Sequence, residues 1–244
     1  MSTVERFQVA LAASAAALPE PELVPERLAK AAAAVLPVDG AGISLFFTPY
    51  RRLPLGASDV QSAVAERLQF TTGEGPCLSA HASGCPLVAY EATIATRWPA
   101  FHANRVSRTS IRGIISLPLG DELRGFGALD LYLLSPSGVR SVMLADALTV
   151  ADQVGTIVQT SDLPVSAQAD GPAWLDSPAA QRRSLVWQAM GFVNAGLRIT
   201  STDALALLRA HAYREDMTLD ELAALVLDRQ VPLELLTLDA HPPR

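Results

Sequence analysis

Val186-Trp187-Gln188-Ala189-Met190-Gly191-Phe192-Val193 reads as the centre of a helix. Val186, Ala189 and Val193 recur at three- and four-residue steps, the spacing of one apolar face. Upstream, Ser177-Pro178 offers an N-cap hydroxyl and a Pro at the first helical position, where its missing N–H has no intrahelical partner to lose. Gly191 sits inside the pattern although Gly costs roughly 1 kcal/mol relative to Ala in a helix, which predicts a close approach there. Gly196 is placed to end the helix in the left-handed conformation. A second helix, capped within Thr200 to Asp203, carries Leu205, Leu208 and Ala212. The third starts at Thr218. Its hydroxyl and the Glu221 carboxylate fit a capping box, with Met217 and Leu222 at the staple positions. From Gln181 to Leu227 the chain therefore predicts three short helices in tandem.

Ahead of them the pattern changes. Val4, Phe7, Leu11, Ser14 and Leu18 form one helical stripe ended by Pro19 and Pro21, and a second helix is expected from Glu22 to Leu36. Ala41 to Phe47 reads as a buried strand with Leu53 to Ala57 as its hairpin partner, and further strands are expected at Pro86 to Tyr90, Ile111 to Leu119 and Gly125 to Leu134. Between them lie a capped helix from Asp59 to Gln69, a sharp break at Thr72-Gly73-Glu74-Gly75, and a short helix from Pro76 to about Ala82. Thr96 is the expected cap of a helix opening Arg97-Trp98-Pro99. A helix from Val139 to Gln159 carries two apolar stripes, Leu144-Leu148-Ala151-Gly155-Val158 and Met143-Ala147-Val150-Val154-Ile157. One can cover a sheet. The other would be exposed on a monomer, which predicts a homodimer through these helices and the N-terminal stripe, unless both stripes bury within one subunit. Asp162 to Asp176, with Pro164, Gly171 and Pro172, reads as a linker.

With 244 residues, 50% of them hydrophobic and 18% charged, the chain can bury one large or two modest cores. The net charge of −6 excludes a global basic footprint for nucleic acid, so any such footprint must be local. Lys30 is the sole lysine beside many Arg and Ala, a bias expected of a GC-rich bacterial genome. Two cysteines are too few for a disulfide framework, and the apolar run Val9 to Leu18 follows Glu5 as well as Arg6, so a reducing cytoplasm is expected rather than secretion. No run reaches the ~20 apolar residues that span a bilayer, so no membrane partner is expected.

Five motifs in order, Gly73-Glu74-Gly75-Pro76-Cys77-Leu78, Gly84-x-Pro86, Arg97-Trp98-Pro99-x-Phe101, Ile115-Ser116-Leu117-Pro118-Leu119 and Gly125-x-Gly127-Ala128-Leu129, resemble a GAF domain of the bacterial sensor type. The resemblance implies an α+β fold, an antiparallel sheet flanked by helices with a small-molecule pocket on one face; it leaves the ligand unknown. Gln188-Ala189-x-Gly191, Ala204-Leu205-x2-Leu208-Arg209-x2-Ala212 and Leu219-x2-Leu222-Ala223 resemble an ANTAR domain. That resemblance implies RNA binding to paired stem-loops in a leader transcript, with antitermination as the outcome. Many members carry Lys between the Ala and the Gly. Met190 stands there, so one expected phosphate contact is missing. The expected organisation is an N-terminal helix at 1–20, a GAF-like sensor at 21–160, a linker at 161–176, a three-helix ANTAR-like unit at 177–236 and a tail at 237–244.

The charge of the last unit separates nucleic-acid readings. From Pro178 to Arg214 it holds Arg182, Arg183, Arg198, Arg209 and Arg214 against Asp203 alone; from Glu215 to Leu236 it holds Arg229 against six carboxylates. A DNA-reading last helix would bring those carboxylates to phosphates, so DNA loses ground. In the second helix Arg209 and Tyr213, at i and i+4, can present a guanidinium plane and an aromatic face to unstacked RNA bases, unless Arg209 and Arg214 are merely solvated cations and Tyr213 is core. Gln188 and Gly191 serve either RNA or helix packing, and Arg182 and Arg183 are proposed phosphate contacts. Cys77, His81 and Cys85 would share a face if their helix continued, as a thiol site or metal ligands, but Gly84 is placed to end it. A thiol-dependent GAF-type reductase is therefore the lesser alternative; no catalytic residue, metal or cofactor is expected. The other alternative keeps the sensor and gives the last helices a role in protein contacts only.

Overall fold

Along β5 (Gly127–Leu133), Leu129, Leu131 and Leu133 alternate with Ala128, Asp130 and Tyr132, and a pleated strand sends the two sets to opposite faces. The computed structural model describes residues 1–48, 51–120, 123, 125–161 and 172–237. In it β5 lies at the centre of a five-stranded antiparallel sheet in the order β2-β1-β5-β4-β3, with β1 at Gly40–Thr48, β2 at Arg51–Ala57, β3 at Leu87–Tyr90 and β4 at Gly113–Pro118. Register sets Ser44 opposite Ala128 and Ser116 opposite Asp130.

The Leu face, with Ile43, Leu53, Leu55 and Leu117, is fully buried and forms the main core. Each such side chain contributes about 1.5–3 kcal/mol by leaving water, so Leu131→Ala alone would cost about 2–5 kcal/mol. Most of the helical part of this core comes from α1 (Thr3–Ala17), started by a Ser2/Glu5 capping box, α2 (Val24–Val35) and α7 (Leu144–Ser161), with Ala180 added from the C-terminal helices. Phe7 of α1 is buried here, and so are Ala147, Val150, Ala151, Val154 and Val158, which come from both stripes of α7. Both stripes are thus largely buried within one chain, because α1 packs against α2 and α7. The double stripe therefore gives no reason to expect a homodimer.

The opposite face carries α3 (Val60–Thr72), α4 (Pro76–Ser83), α5 (Glu91–Arg97) and α6 (Pro99–Arg108). Asp59 caps α3 by accepting from the amides of Gln61 and Ser62. Thr96 is not a cap. It lies inside α5 and donates back to the carbonyl of Ala92 at 2.9 Å, while Trp98 occupies the junction with α6 and Pro99 opens it.

Three further helices follow: α8 (Pro178–Leu197), α9 (Ser201–Arg214) and α10 (Leu219–Leu227), with caps at Ser177, Thr200 and Thr218 as expected. Gly196 does not end α8. The helix runs one residue further, and Arg198 takes the left-handed turn at φ 56°. A Cβ at Gly196 would collide with Leu233, so the missing side chain serves packing. Residues 162–171 of the expected linker and 238–244 of the expected tail lie outside the described residues. The linker's far end is no open spacer: Ala173–Asp176 forms a 3-10 turn that buries Trp174 in the main core. No helix among the described residues is long and apolar enough to cross a membrane.

Candidate functional site

The second face of the sheet is polar at its middle. Ser44, Arg52, Ser116, Asp130 and Tyr132 point there from four strands, and α3 adds Glu66 and Gln69, all buried. Gly42 makes room, since a Cβ on it would run into the Glu66 carboxyl. Arg52 pairs with the Glu66 carboxylate, donates to the Glu66 carbonyl at 2.6 Å, and lies 3.9 Å from Asp130. Glu66 also accepts from Ser44 at 2.7 Å and from the Tyr132 hydroxyl. Gln69 donates to Asp130 at 2.9 Å and accepts from the amide of Cys77 at 2.8 Å.

Burial disfavours every charge in this cluster, and the neighbours decide which charges survive. Burial alone would lower the Arg52 guanidinium, but the Glu66 and Asp130 carboxyl groups around it outweigh that and hold it firmly protonated. Burial and then the facing Glu66 carboxylate push Asp130 up to about 7, so one buried carboxyl exchanges its proton near neutrality. Burial likewise pushes the Cys77 thiol well above its ordinary range. Such a thiol is a poor nucleophile. Cys85 is exposed, and Gly84 ends α4 in the left-handed conformation, so Cys77, His81 and Cys85 do not continue along one helical face. His81 stacks on Phe46 with ring centroids 3.8 Å apart. Among the described residues no cluster of metal-ligating side chains occurs.

The three C-terminal helices dock on the outer side of α3. Phe70 is 1% exposed and belongs to the core of the helical unit, although it is one residue from Gln69 of the polar cluster. Arg183 stacks on its ring at 3.8 Å and Arg209 at 5.1 Å. Arg209 Nε donates to the Phe70 carbonyl at 3.0 Å, and the Leu219 amide, in the first turn of α10, donates to the Thr71 hydroxyl at 3.1 Å. Arg108 of α6 donates to the Asp216 carboxylate at 2.8 Å. One helix therefore carries the buried polar cluster on one side and the docked unit on the next.

This docking corrects several expectations. Arg183 is fully buried and cannot reach a phosphate in this arrangement. Its Nε and both terminal nitrogens lack hydrogen-bond partners; the Asp220 carboxylate lies 3.6 Å away, and burial lowers its pKa to about 10. Arg209 does not join Tyr213 in one exposed face: it turns toward α3, where burial lowers it to about 10. Tyr213 is 58% exposed and Arg214 is exposed beside Glu215. Gly191 is exposed and a Cβ there would meet nothing, so neither a helix crossing nor any other contact within the chain explains it. Gln188 is exposed and donates to Ser184 at 3.3 Å; Arg182 is exposed. Met190 belongs to the helical core, where a Lys would be buried.

The polar cluster was missed in the sequence, yet a signal exists. An Asp and a Tyr alternating with Leu in a strand flanked by others on both sides mark a buried polar face.

No family model matches the chain, and comparison with curated proteins returns no match. Among solved structures the chain is similar to the GAF domain of a phosphoenolpyruvate-protein phosphotransferase from Coxiella burnetii, at 13% identity and a TM-score of 0.46, covering 65% of this chain and 94% of that one. Likeness at that level adds nothing to what the sheet and its helices show directly.

Proposed function

We propose that the chain is a regulator in which the α/β part is a GAF-type sensor and α8 to α10 form an ANTAR-type RNA-binding unit held in a closed arrangement. On this reading the open form binds paired stem-loops in a leader transcript and favours antitermination. The observation that carries it is Arg183. A fully buried guanidinium with three nitrogens lacking hydrogen bonds is costly, and such a group in a folded protein calls for a reason. Release from Phe70 supplies one. Arg183 and Arg209 would then regain water or meet phosphate oxygens, for which a guanidinium is suited.

The sensor reaches this latch through α3. Glu66 and Gln69 belong to the polar cluster, Phe70 and Thr71 to the docked unit, so a change that moves α3 acts on both. A signal must favour the open arrangement over the closed one, since equal affinity for both shifts nothing. Typical coupling of ~1–3 kcal/mol would change RNA affinity roughly 5- to 150-fold. The inert setting of Cys77 supports a non-enzymatic role.

A second reading, protein contacts through α8, is favoured by the half-exposed Leu185 and Phe192, which lie seven residues apart on that helix. Crosslinking in cells that express the chain, followed by sequencing of bound RNA, separates the two. Enrichment of transcripts sharing two adjacent stem-loops supports the RNA reading; background RNA together with a crosslinked protein supports the other.

A further inference from the structure

A groove runs between β2 and α3 on one side and α8 and α10 on the other. Pro54, Ala57, Ala63 and Ala179 form the apolar part of its walls, and its deeper part holds a cavity of about 90 Å³, room for a small anion. Two guanidiniums line it, Arg67 from α3 and Arg182 from α8. Asp220 and Glu221 attract Arg67 and Glu26 attracts Arg182, while the two guanidiniums repel one another; neither makes a hydrogen bond or a close ion pair with any described residue.

The carboxylates nearby are mostly committed. Asp220 faces Arg183, Glu221 accepts from Thr218 in the capping box, and Glu66 is taken by Arg52, Ser44 and Tyr132. Glu26 also lines the groove; burial raises its carboxyl, and Arg182 acts in the opposite direction. Two guanidiniums, one from each unit, thus line the cleft without a direct hydrogen-bonded partner among the described residues.

We propose that this groove binds a small anion with two or more anionic oxygens, a carboxylate or a phosphate, which bridges Arg67 and Arg182. Guanidiniums hold either group through paired hydrogen bonds, and the anion removes the repulsion between the two. Because one cation comes from each unit, occupancy favours the docked arrangement. The site borders the polar cluster through Glu66, but neither of its two guanidiniums belongs to that cluster, and it stands or falls independently of RNA binding.

The test is calorimetric titration of the full chain with inorganic phosphate and, separately, with succinate, on the wild type, Arg67→Gln and Arg182→Gln. At least one probe should bind the wild type saturably, and each variant should weaken it roughly tenfold or more, the loss expected for a charged hydrogen bond. Phosphate alone binding assigns a phosphorylated ligand, and succinate alone a carboxylate. Arg182 is exposed, so its variant reads the site even if Arg67→Gln disturbs docking. The proposal is overturned if neither probe saturates below about 10 mM, or if binding is indifferent to Arg182→Gln.

Discussion

Phe70→Ala removes the ring on which the docking is built. Phe70 is 1% exposed and packs with the helical core, so truncation should cost about 3–5 kcal/mol. Loss of two cation–ring contacts adds to this, while rehydration of Arg183 and Arg209 on opening offsets part of it. The lower figure, about 3 kcal/mol, is the better expectation, and it raises the undocked population roughly 150-fold relative to the docked one. Hydrogen exchange read by mass spectrometry on the full chain checks this at the Leu219 amide, which the Thr71 hydroxyl holds only while docked. Faster exchange there, with α8 to α10 still helical, is the expected result. Unchanged exchange with a stability loss below about 1 kcal/mol would refute the argument that Phe70 carries the docking.

Three other perturbations give independent readings. Gly191→Ala should stabilise the chain by about 1 kcal/mol, because a Cβ there meets nothing and Ala is the better helix former; a lowered melting temperature would contradict this. Arg52→Met leaves Glu66 and Asp130 buried without their cation and should cost about 3–5 kcal/mol in denaturant unfolding, more at pH 8 than at pH 5, where protonation relieves the pair. Asp130 has a folded pKa of about 7, raised from 3.8, so the folded state holds this proton more tightly than the unfolded one. Its contribution is fully present below the unfolded value and is lost as pH rises through about 7. Asp130→Asn should therefore flatten the decline in stability between pH 5 and pH 8, and an equally steep decline in the variant would show that another group is responsible.

The elements were largely legible because their signals are local. Ser177-Pro178, Thr200 and Thr218 with Glu221 announce three helix starts through caps that need no tertiary contact, and the strands follow from short apolar runs bounded by turn residues. The site was less so. Arg183 and Arg209 look like surface cations in a basic half, and only the arrival of Phe70 from a residue more than a hundred positions away buries them. Gly196 misled for the same reason: its partner, Leu233, is distant in sequence, so a packing glycine reads as a helix terminator. Arg52 carries no local mark at all, since its partners Glu66 and Asp130 come from a different helix and a non-adjacent strand.

The most direct test measures the affinity of the full chain and of Phe70→Ala for one RNA carrying two adjacent stem-loops, in the same low-salt buffer. Weak binding by the wild type and binding roughly 5- to 150-fold tighter by the variant is the predicted result, since opening the docked unit frees Arg183 and Arg209. Equal affinities, or no binding by either protein, would contradict the claim that this fold holds an RNA-binding unit closed against its sensor.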